Sequence, residues 1–73
     1  MPQLKEQLER LVEEMVNRGV RYEDAVREFE KKYISRVLLK ADGNLCEAAD
    51  LLGMHRNTLS RKVAEYHLRR PAS

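Results

Sequence analysis

The chain has few of the residues that build disulfide-linked or metal-linked folds. Its 73 residues include one cysteine, Cys46, so no intrachain disulfide can form. That cysteine and the two histidines, His55 and His67, cannot supply the four ligands of a structural zinc site. A chain this short buries only about 60% of the surface that its unfolded form exposes. We therefore expect association with another chain to supply additional stability.

Long apolar runs are also missing. No stretch approaches the roughly 18 to 20 apolar residues that span a bilayer. The N-terminal sequence MPQLKEQLER lacks the apolar block of a signal peptide. These features predict a cytoplasmic protein without a membrane partner.

No catalytic arrangement is visible in the sequence. No nucleophile lies beside a plausible base, no glycine-rich phosphate loop is present, and no carboxylate pair is set among apolar residues. We therefore expect neither enzymatic activity nor a cofactor. An ATPase or receiver domain, if the protein has one, would lie outside this chain.

The charge is unevenly distributed along the chain. Residues 1–54 carry nine Lys and Arg against eleven Asp and Glu, whereas residues 55–73 carry five against Glu65 alone. The net charge is therefore −2 in the first part and +4 in the second, which gives the overall +2. This distribution favours a polyanionic partner at the C-terminal end.

Apolar residues recur at helical spacing in two segments, 3–18 and 22–41. Gly19 lies between them and can take the left-handed conformation that closes the first helix. The pair Asp42-Gly43 would favour a hairpin between strands, but its flanks have helical period, so we predict helix termination. The apolar stripes exceed what one small bundle can cover, which predicts a dimer interface. Its candidate residues are Leu4, Leu8, Leu11, Met15, Val26, Phe29, Tyr33 and Val37.

Two shorter helices follow in the second half of the sequence. Asn44 is placed as the N-cap of a helix over Leu45–Leu52, with Glu47 as the return partner of a capping box. Gly53 permits a positive φ in the turn, and the last helix begins near His55 or Arg56. The residues expected to face inward are Ala48, Ala49, Leu51, Leu52, Leu59, Val63 and Tyr66.

Two short helices joined by a tight glycine turn match the helix-turn-helix, whose second helix enters the DNA major groove. The outward face of the last helix is polar and basic. Arg56 can donate a bidentate pair to O6 and N7 of guanine. Four residues are placed to hold phosphates, namely Thr58, Ser60, Arg61 and Lys62. The predicted contacts to double-stranded DNA are Asn44, His55, Arg56, Asn57, Thr58, Ser60, Arg61 and Lys62.

The run ADGNLCEAADLLGMHRNTLSRKVAEYHL resembles the Fis-type helix-turn-helix, found in the nucleoid protein Fis and in NtrC-like activators of sigma-54 promoters. The resemblance covers roughly residues 22–68. It implies an all-α, four-helix domain with a C-terminal helix-turn-helix. It also implies an intertwined homodimer, in which the first two helices of each subunit form a bundle. Such a dimer presents two recognition helices to successive major grooves of a bent duplex.

The resemblance also implies roles for individual residues. Arg56 matches the arginine that contacts a base, whereas Thr58 and Arg61 match residues that bind phosphate. His55 departs from the family pattern, since Ser or Asn is usual there and caps a helix better. His67 stands where the family often has a glycine, which predicts a frayed last turn.

We interpret residues 1–73 as a single Fis-type DNA-binding domain, with dimerisation helices at 3–18 and 22–41, a helix-turn-helix at 44–67 and a basic tail at 68–73. The predicted function is sequence-selective DNA binding by a bacterial transcription regulator or its DNA-binding domain. The dimer would bend a pseudo-palindromic site and associate with the nucleoid.

Two alternatives remain open at this point. One is a helical protein-interaction module with vestigial DNA binding, which would need an exposed apolar patch where residues 55–62 are polar. In the other alternative, the aromatic residues form a stacking platform for single-stranded nucleic acid and do not lie in the core or at the dimer interface.

Overall fold

The computed structural model describes residues 2–68, which form four α-helices. These are α1 (Pro2–Asn17), α2 (Tyr22–Lys40), α3 (Leu45–Leu52) and α4 (Arg56–Glu65). The described part contains no β-strand, so the predicted all-α class with four helices is confirmed. Among the described residues, none of the four helices combines the length and the hydropathy of a transmembrane span. The predicted basic tail beyond residue 68 lies outside the described residues.

Helix α1 is followed by a glycine turn, as the sequence predicts. Gly19 has a φ of 75°, and its amide donates to the carbonyl of Val16 at 3.1 Å. The amide of Val20 donates to the carbonyl of Met15 at 3.0 Å. This pair of bonds satisfies carbonyls that the last helical turn leaves without intrahelical donors. The local sequence alone thus accounts for the end of α1.

Helix α2 also ends in a left-handed turn, but an aspartate begins it. Asp42 has a φ of 57° and Gly43 a φ of 81°. Their amides donate to the carbonyls of Leu39 at 3.1 Å and Leu38 at 2.9 Å, respectively. Aspartate tolerates the left-handed region better than most residues with a Cβ. Helix termination at this dipeptide, rather than a hairpin, is confirmed.

The core lies between the C-terminal half of α2, α3 and α4. Its large buried side chains are Ile34, Leu38 and Leu59, none of them more than 1% exposed. Alanines fill the space between them, and small side chains allow the helices to approach closely. The buried alanines are Ala41, Ala48 and Ala49, and the partly buried residues around them are Val37, Leu45, Leu52, Met54, Val63 and Leu68. The helix-turn-helix is therefore built on the end of α2.

Residues 3–17 of α1 supply no buried side chain to this core. The exposed large apolar residues of α1, and of α2 up to Tyr33, are Leu4, Leu8, Leu11, Val12, Val16, Tyr22, Val26, Phe29 and Tyr33. The rings of Phe29 and Tyr33 lie 5.5 Å apart, centroid to centroid. Helix α1 has 16 residues, just above the length of about 12 to 15 below which an isolated helix is marginal in water, and packing of an apolar face supplies most of a helix's stability in proteins. A single chain leaves that face of α1 uncovered.

The predicted inward position of Leu51 is wrong, because its side chain is 53% exposed. The core-facing residues of α3 are Leu45, Ala48, Ala49 and Leu52. At 100° per residue, Leu51 lies about 110° from the centre of that face. The apolar character of Leu51 suggested burial, but the helix geometry places it at the edge.

Candidate nucleic-acid interface

The turn between α3 and α4 is fixed by backbone hydrogen bonds and by one apolar side chain. Gly53 adopts a φ of 72°, and its amide donates to the carbonyl of Asp50 at 3.2 Å. The amide of Met54 donates to the carbonyl of Ala49 at 3.0 Å. The Met54 side chain is partly buried against the core. The turn therefore holds α4 at a set angle to α3.

Asn44 caps α3 as predicted, but the capping box is incomplete, because the amide of Asn44 donates to the carbonyl of Ala41 at 3.0 Å and not to Glu47. Its Oδ1 accepts a hydrogen bond from the amide of Glu47 at 3.0 Å. The oxygen is thus used locally, while the side-chain NH₂ stays available as a donor to an anion. Glu47 puts a negative charge in the first turn of α3, whereas the first turn of α4 has no acidic residue. Of the two helix starts, the one at α4 is the more favourable for a phosphate.

His55 is the N-cap of α4, and its imidazole performs the capping. Nδ1 of His55 accepts a hydrogen bond from the amide of Asn57 at 3.0 Å. An imidazole nitrogen accepts only when it carries no proton, so this cap places the proton of the neutral ring on Nε2. Helix α4 accordingly begins at Arg56, within the predicted range.

Helix α4 is anchored through one side and exposed on the other. Leu59 is completely buried, and Val63 packs partly buried against the same core. Six of the eight predicted DNA contacts are exposed, namely Asn44, His55, Arg56, Asn57, Ser60 and Arg61. Thr58 and Lys62 are only partly exposed. The structure brings seven of the predicted contacts onto α4 and its N-cap, with Asn44 at the start of α3.

The two arginines of this face are unpaired within the part of the chain that the structure describes. Salt bridges among residues 2–68 involve Arg18, Arg27, Lys31, Lys32 and Lys62, but neither Arg56 nor Arg61. An unpaired guanidinium on an exposed helix face keeps all of its donors for an external acceptor. The face can therefore bind phosphate oxygens or the acceptor edge of a guanine.

Lys62 differs from these arginines because it already has an acidic partner. Its Nζ lies 2.8 Å from Oε2 of Glu30 on α2, and both side chains are 28% exposed. The hydroxyl of Tyr66 donates to the other carboxylate oxygen, Oε1 of Glu30. We call Glu30, Lys62 and Tyr66 the Glu30 cluster.

The Glu30 cluster shifts the pKa values of two of its members. The hydrogen bond from Lys62, and secondly that from Tyr66, lowers the pKa of the Glu30 carboxyl below its ordinary value of 4.5, although burial opposes this. The same hydrogen bond to Glu30 raises the pKa of Tyr66 above 10.0. The cluster thus favours an ionised Glu30 and a protonated Tyr66.

Sequence reasoning missed Glu30 as part of this region. The glutamate is one of several acids on α2, and it lies 36 residues from its partner Tyr66. No spacing rule links positions that far apart in a single sequence. The one local clue is that Lys62 and Tyr66 are four residues apart and therefore share a side of α4.

The last turn of α4 also differs from its prediction, because hydrogen bonds close it. His67 adopts a φ of 54°, and its amide donates to the carbonyl of Ala64 at 3.3 Å. The amide of Leu68 donates to the carbonyl of Val63 at 3.0 Å. The histidine takes the left-handed position that a glycine would otherwise fill.

Among residues 2–68, no group of three or more His, Cys, Asp or Glu could hold a metal ion. Cys46, at the start of α3, is a free and exposed thiol.

Comparison with known proteins identifies the family. The sequence model of the bacterial regulatory proteins of the Fis family matches residues 25–66, which is more than half of the chain. A protein of Xylella fastidiosa (strain Temecula1 / ATCC 700964), described as a Fis-like DNA-binding protein, is 45% identical over 47 residues. That alignment covers 64% of this chain and 52% of the relative, so the chain spans about half of the relative's length. No solved structure matches. On the strength of the family match, this chain belongs to the Fis family of bacterial regulatory proteins.

Proposed function

We propose that this chain binds double-stranded DNA with sequence selectivity, as a bacterial transcription regulator or as the DNA-binding domain of one. The observation that carries the proposal is the exposed face of α4, where Arg56 and Arg61 have no ionic partner among the described residues. Membership of a regulatory family and the similarity to a Fis-like DNA-binding protein support it. The family is one of regulators rather than of enzymes.

In this proposal α4 enters the major groove with its N-terminal residues against the base edges. Arg56, at the first position of α4, selects a guanine through two hydrogen bonds. Thr58 and Arg61 hold phosphates, and the free Nε2–H of His55 is a further donor near the helix start. Phosphate contacts supply most of the affinity, and the few base contacts supply the selectivity.

The proposal includes a homodimer formed through α1 and the first half of α2. The exposed apolar face of these helices supports it, since Leu8 is 50% and Leu11 48% exposed in the single chain. Covering a half-exposed leucine contributes on the order of 1 kcal/mol. A dimer would place two copies of α4 on one side of the duplex, facing successive major grooves. Bending of a pseudo-palindromic site would bring those grooves, which lie about one helical turn apart in straight DNA, to the spacing of the two helices.

Fluorescence anisotropy tests the DNA binding. A labelled duplex of about 27 base pairs, long enough for two half-sites and their flanks, is titrated with protein at several salt concentrations. We expect a steep negative slope of log K against log salt. Arg61→Ala should weaken binding similarly on all DNA sequences, whereas Arg56→Ala should reduce the difference in affinity between preferred and non-preferred sequences. Arg18→Ala is the matched control, because it removes the same charge near the end of α1, where Arg18 pairs with Glu14 at 2.8 Å.

If Arg56→Ala and Arg61→Ala lose the same affinity on every duplex, base selection by Arg56 and phosphate binding by Arg61 are contradicted. No binding at low salt by a folded protein would favour the alternative, a helical protein-interaction module.

Sedimentation equilibrium at micromolar concentration tests the dimer. We expect a dimer for the unmodified chain and a loss of association for Leu8→Glu, which puts a charge on the apolar face of α1. Gln3→Glu adds the same charge to an exposed position about 140° from the centre of that face and should remain dimeric. A folded monomer in the unmodified chain would contradict the proposal.

A further inference from the structure

The Glu30 cluster links the proposed recognition helix directly to α2. Glu30 lies on α2, one residue after Phe29, on the segment whose exposed apolar residues form part of the proposed dimer interface. Lys62 and Tyr66 come from the C-terminal half of α4 and its end. Each of the two carboxylate oxygens of Glu30 has one partner on α4. The cluster is therefore a two-point polar contact between the helices.

Such a contact resists rotation of α4 about its own axis. Leu59 and Val63 anchor α4 through apolar contacts, which are not directional. Hydrogen bonds are directional and weaken steeply with distance. A rotation of about 20° displaces atoms at a helix surface radius of about 5 to 6 Å by about 2 Å. A displacement of that size breaks both bonds to Glu30 and misaligns a bidentate contact between Arg56 and a guanine.

The cluster also determines how Lys62 is used. Its ammonium faces a carboxylate at 2.8 Å, whereas Arg61, one residue earlier, has no ionic partner within residues 2–68. A phosphate contact by Lys62 would require the Glu30 ion pair to break and leave the partly buried carboxylate without its counter-ion. That cost disfavours exchange of Lys62 from Glu30 to a phosphate.

We propose that Glu30 is a positioning residue for DNA recognition: through Lys62 and Tyr66 it fixes the rotation of α4 relative to α2, and it withholds Lys62 from the phosphates. The proposal rests on the DNA-binding function proposed above. It reassigns Lys62 from a phosphate ligand to a member of a helix–helix contact.

A double-mutant cycle on the slope of log K against log salt tests the role of Lys62. Lys62→Met is measured in the unmodified background and in Glu30→Gln. In the unmodified background we expect the slope to stay the same, because Lys62 contacts no phosphate. Glu30→Gln alone releases Lys62 and should steepen the slope by about 0.9 per subunit, or about 1.8 for a dimer. Lys62→Met should reverse that gain in the Glu30→Gln background.

A second readout tests positioning itself, by comparing duplexes that differ only in the base read by Arg56 or in the spacing of the two half-sites. A single base mismatch typically costs about 5-fold to 150-fold in affinity. Glu30→Gln should reduce that ratio severalfold, toward 1, at the base that Arg56 reads and should broaden the range of half-site spacings that the protein binds. Tyr66→Phe, which keeps the ion pair and removes one hydrogen bond to Glu30, should give a smaller reduction.

Glu28→Gln is the matched control. It removes the same charge from the same helix, but Glu28 pairs only with Lys31 at 3.5 Å and Lys32 at 3.8 Å within α2. Glu28→Gln should change neither the affinity ratio between matched and mismatched duplexes nor the preferred spacing of the two half-sites. Circular dichroism and thermal melting confirm that every variant is folded. If Glu30→Gln does not fold, base discrimination by Tyr66→Phe and the salt slope of Lys62→Met in the unmodified background test the inference.

Each outcome supports or overturns a specific role of Lys62 or Glu30. If Lys62→Met makes the slope of log K against log salt shallower by the same amount in both backgrounds, Lys62 contacts a phosphate and the inference is overturned. Equal discrimination in Glu30→Gln and Glu28→Gln, or in Tyr66→Phe and the unmodified chain, would overturn the positioning role. Failure of the unmodified protein to bind any duplex would overturn the proposed function, and the inference with it. That last result is recognisable without any variant.

Discussion

Nδ1 of His55 accepts a hydrogen bond from the amide of Asn57 at 3.0 Å, so an imidazole performs the capping at the start of α4. The other ring nitrogen then carries the proton and has no partner among the described residues. The same residue thus stabilises the helix and offers a donor on the proposed DNA-binding face.

The His55 cap predicts two opposite changes in stability. His55→Ala should lower the free energy of unfolding by about 0.5 to 1 kcal/mol, because the amide of Asn57 loses its acceptor. His55→Asn should raise the free energy of unfolding by a few tenths of a kcal/mol, since asparagine is among the preferred N-caps. Urea denaturation followed by circular dichroism measures both, with Ser60→Ala as an exposed control on α4. Identical midpoints for His55→Ala and the unmodified chain would show that the cap contributes nothing.

The Glu30 cluster predicts a dependence of stability on pH. Folding lowers the pKa of Glu30, so its contribution is fully present above the unfolded value near 4.5 and is lost as the pH falls through the folded value. The unmodified chain should therefore exceed Glu30→Gln in stability at neutral pH, and the difference should shrink below about pH 4.5. Urea midpoints measured from about pH 7 to about pH 3 show this. A difference that stays constant over that range would mean that the charge of Glu30 is not involved.

Gly53 should be sensitive to substitution because of its backbone and not because of its surroundings. A Cβ at this position would meet no atom within 4 Å, but the φ of 72° is unfavourable for a residue with a side chain. Gly53→Ala should destabilise the domain by about 1 kcal/mol. Gly53→Asn should cost less, because asparagine tolerates the left-handed region. Thermal unfolding followed by circular dichroism compares the two, and a larger loss for Gly53→Asn would indicate a steric cause.

Leu59 should be the most sensitive position of α4. Its side chain is 0% exposed and lies against the α2 core, so Leu59→Ala should cost about 2 to 5 kcal/mol. Leu51→Ala, on the exposed edge of α3, is the matched control and should cost less than about 1 kcal/mol. Chemical denaturation of both variants gives the comparison. Similar losses at both positions would mean that a further contact covers Leu51 in solution.

Several local features were predictable from the sequence because the atoms involved lie within a few residues of one another. Asn44 bonds to an amide three residues away, and the left-handed Gly19 and Gly53 each lie at the start of a two-bond turn. Predictions that needed a precise orientation were less accurate. Leu51 was expected inside and is exposed, and His67 was expected to leave a frayed turn that hydrogen bonds close. An apolar residue type alone does not specify an angle about a helix axis.

The sequence by itself determined the all-α class, the ends of α1, α2 and α3, the polar face of α4 and the resemblance to the Fis family, since these follow from local hydrogen bonding, periodicity and motif. Only the tertiary structure decided which charges on that face are free. It left Arg56 and Arg61 unpaired among the described residues and joined Lys62 to Glu30. The physical reason is that the partners of a side chain depend on how distant helices pack. The sequence does not distinguish these three basic residues, because only the packing of α2 beside α4 gives Lys62 its partner.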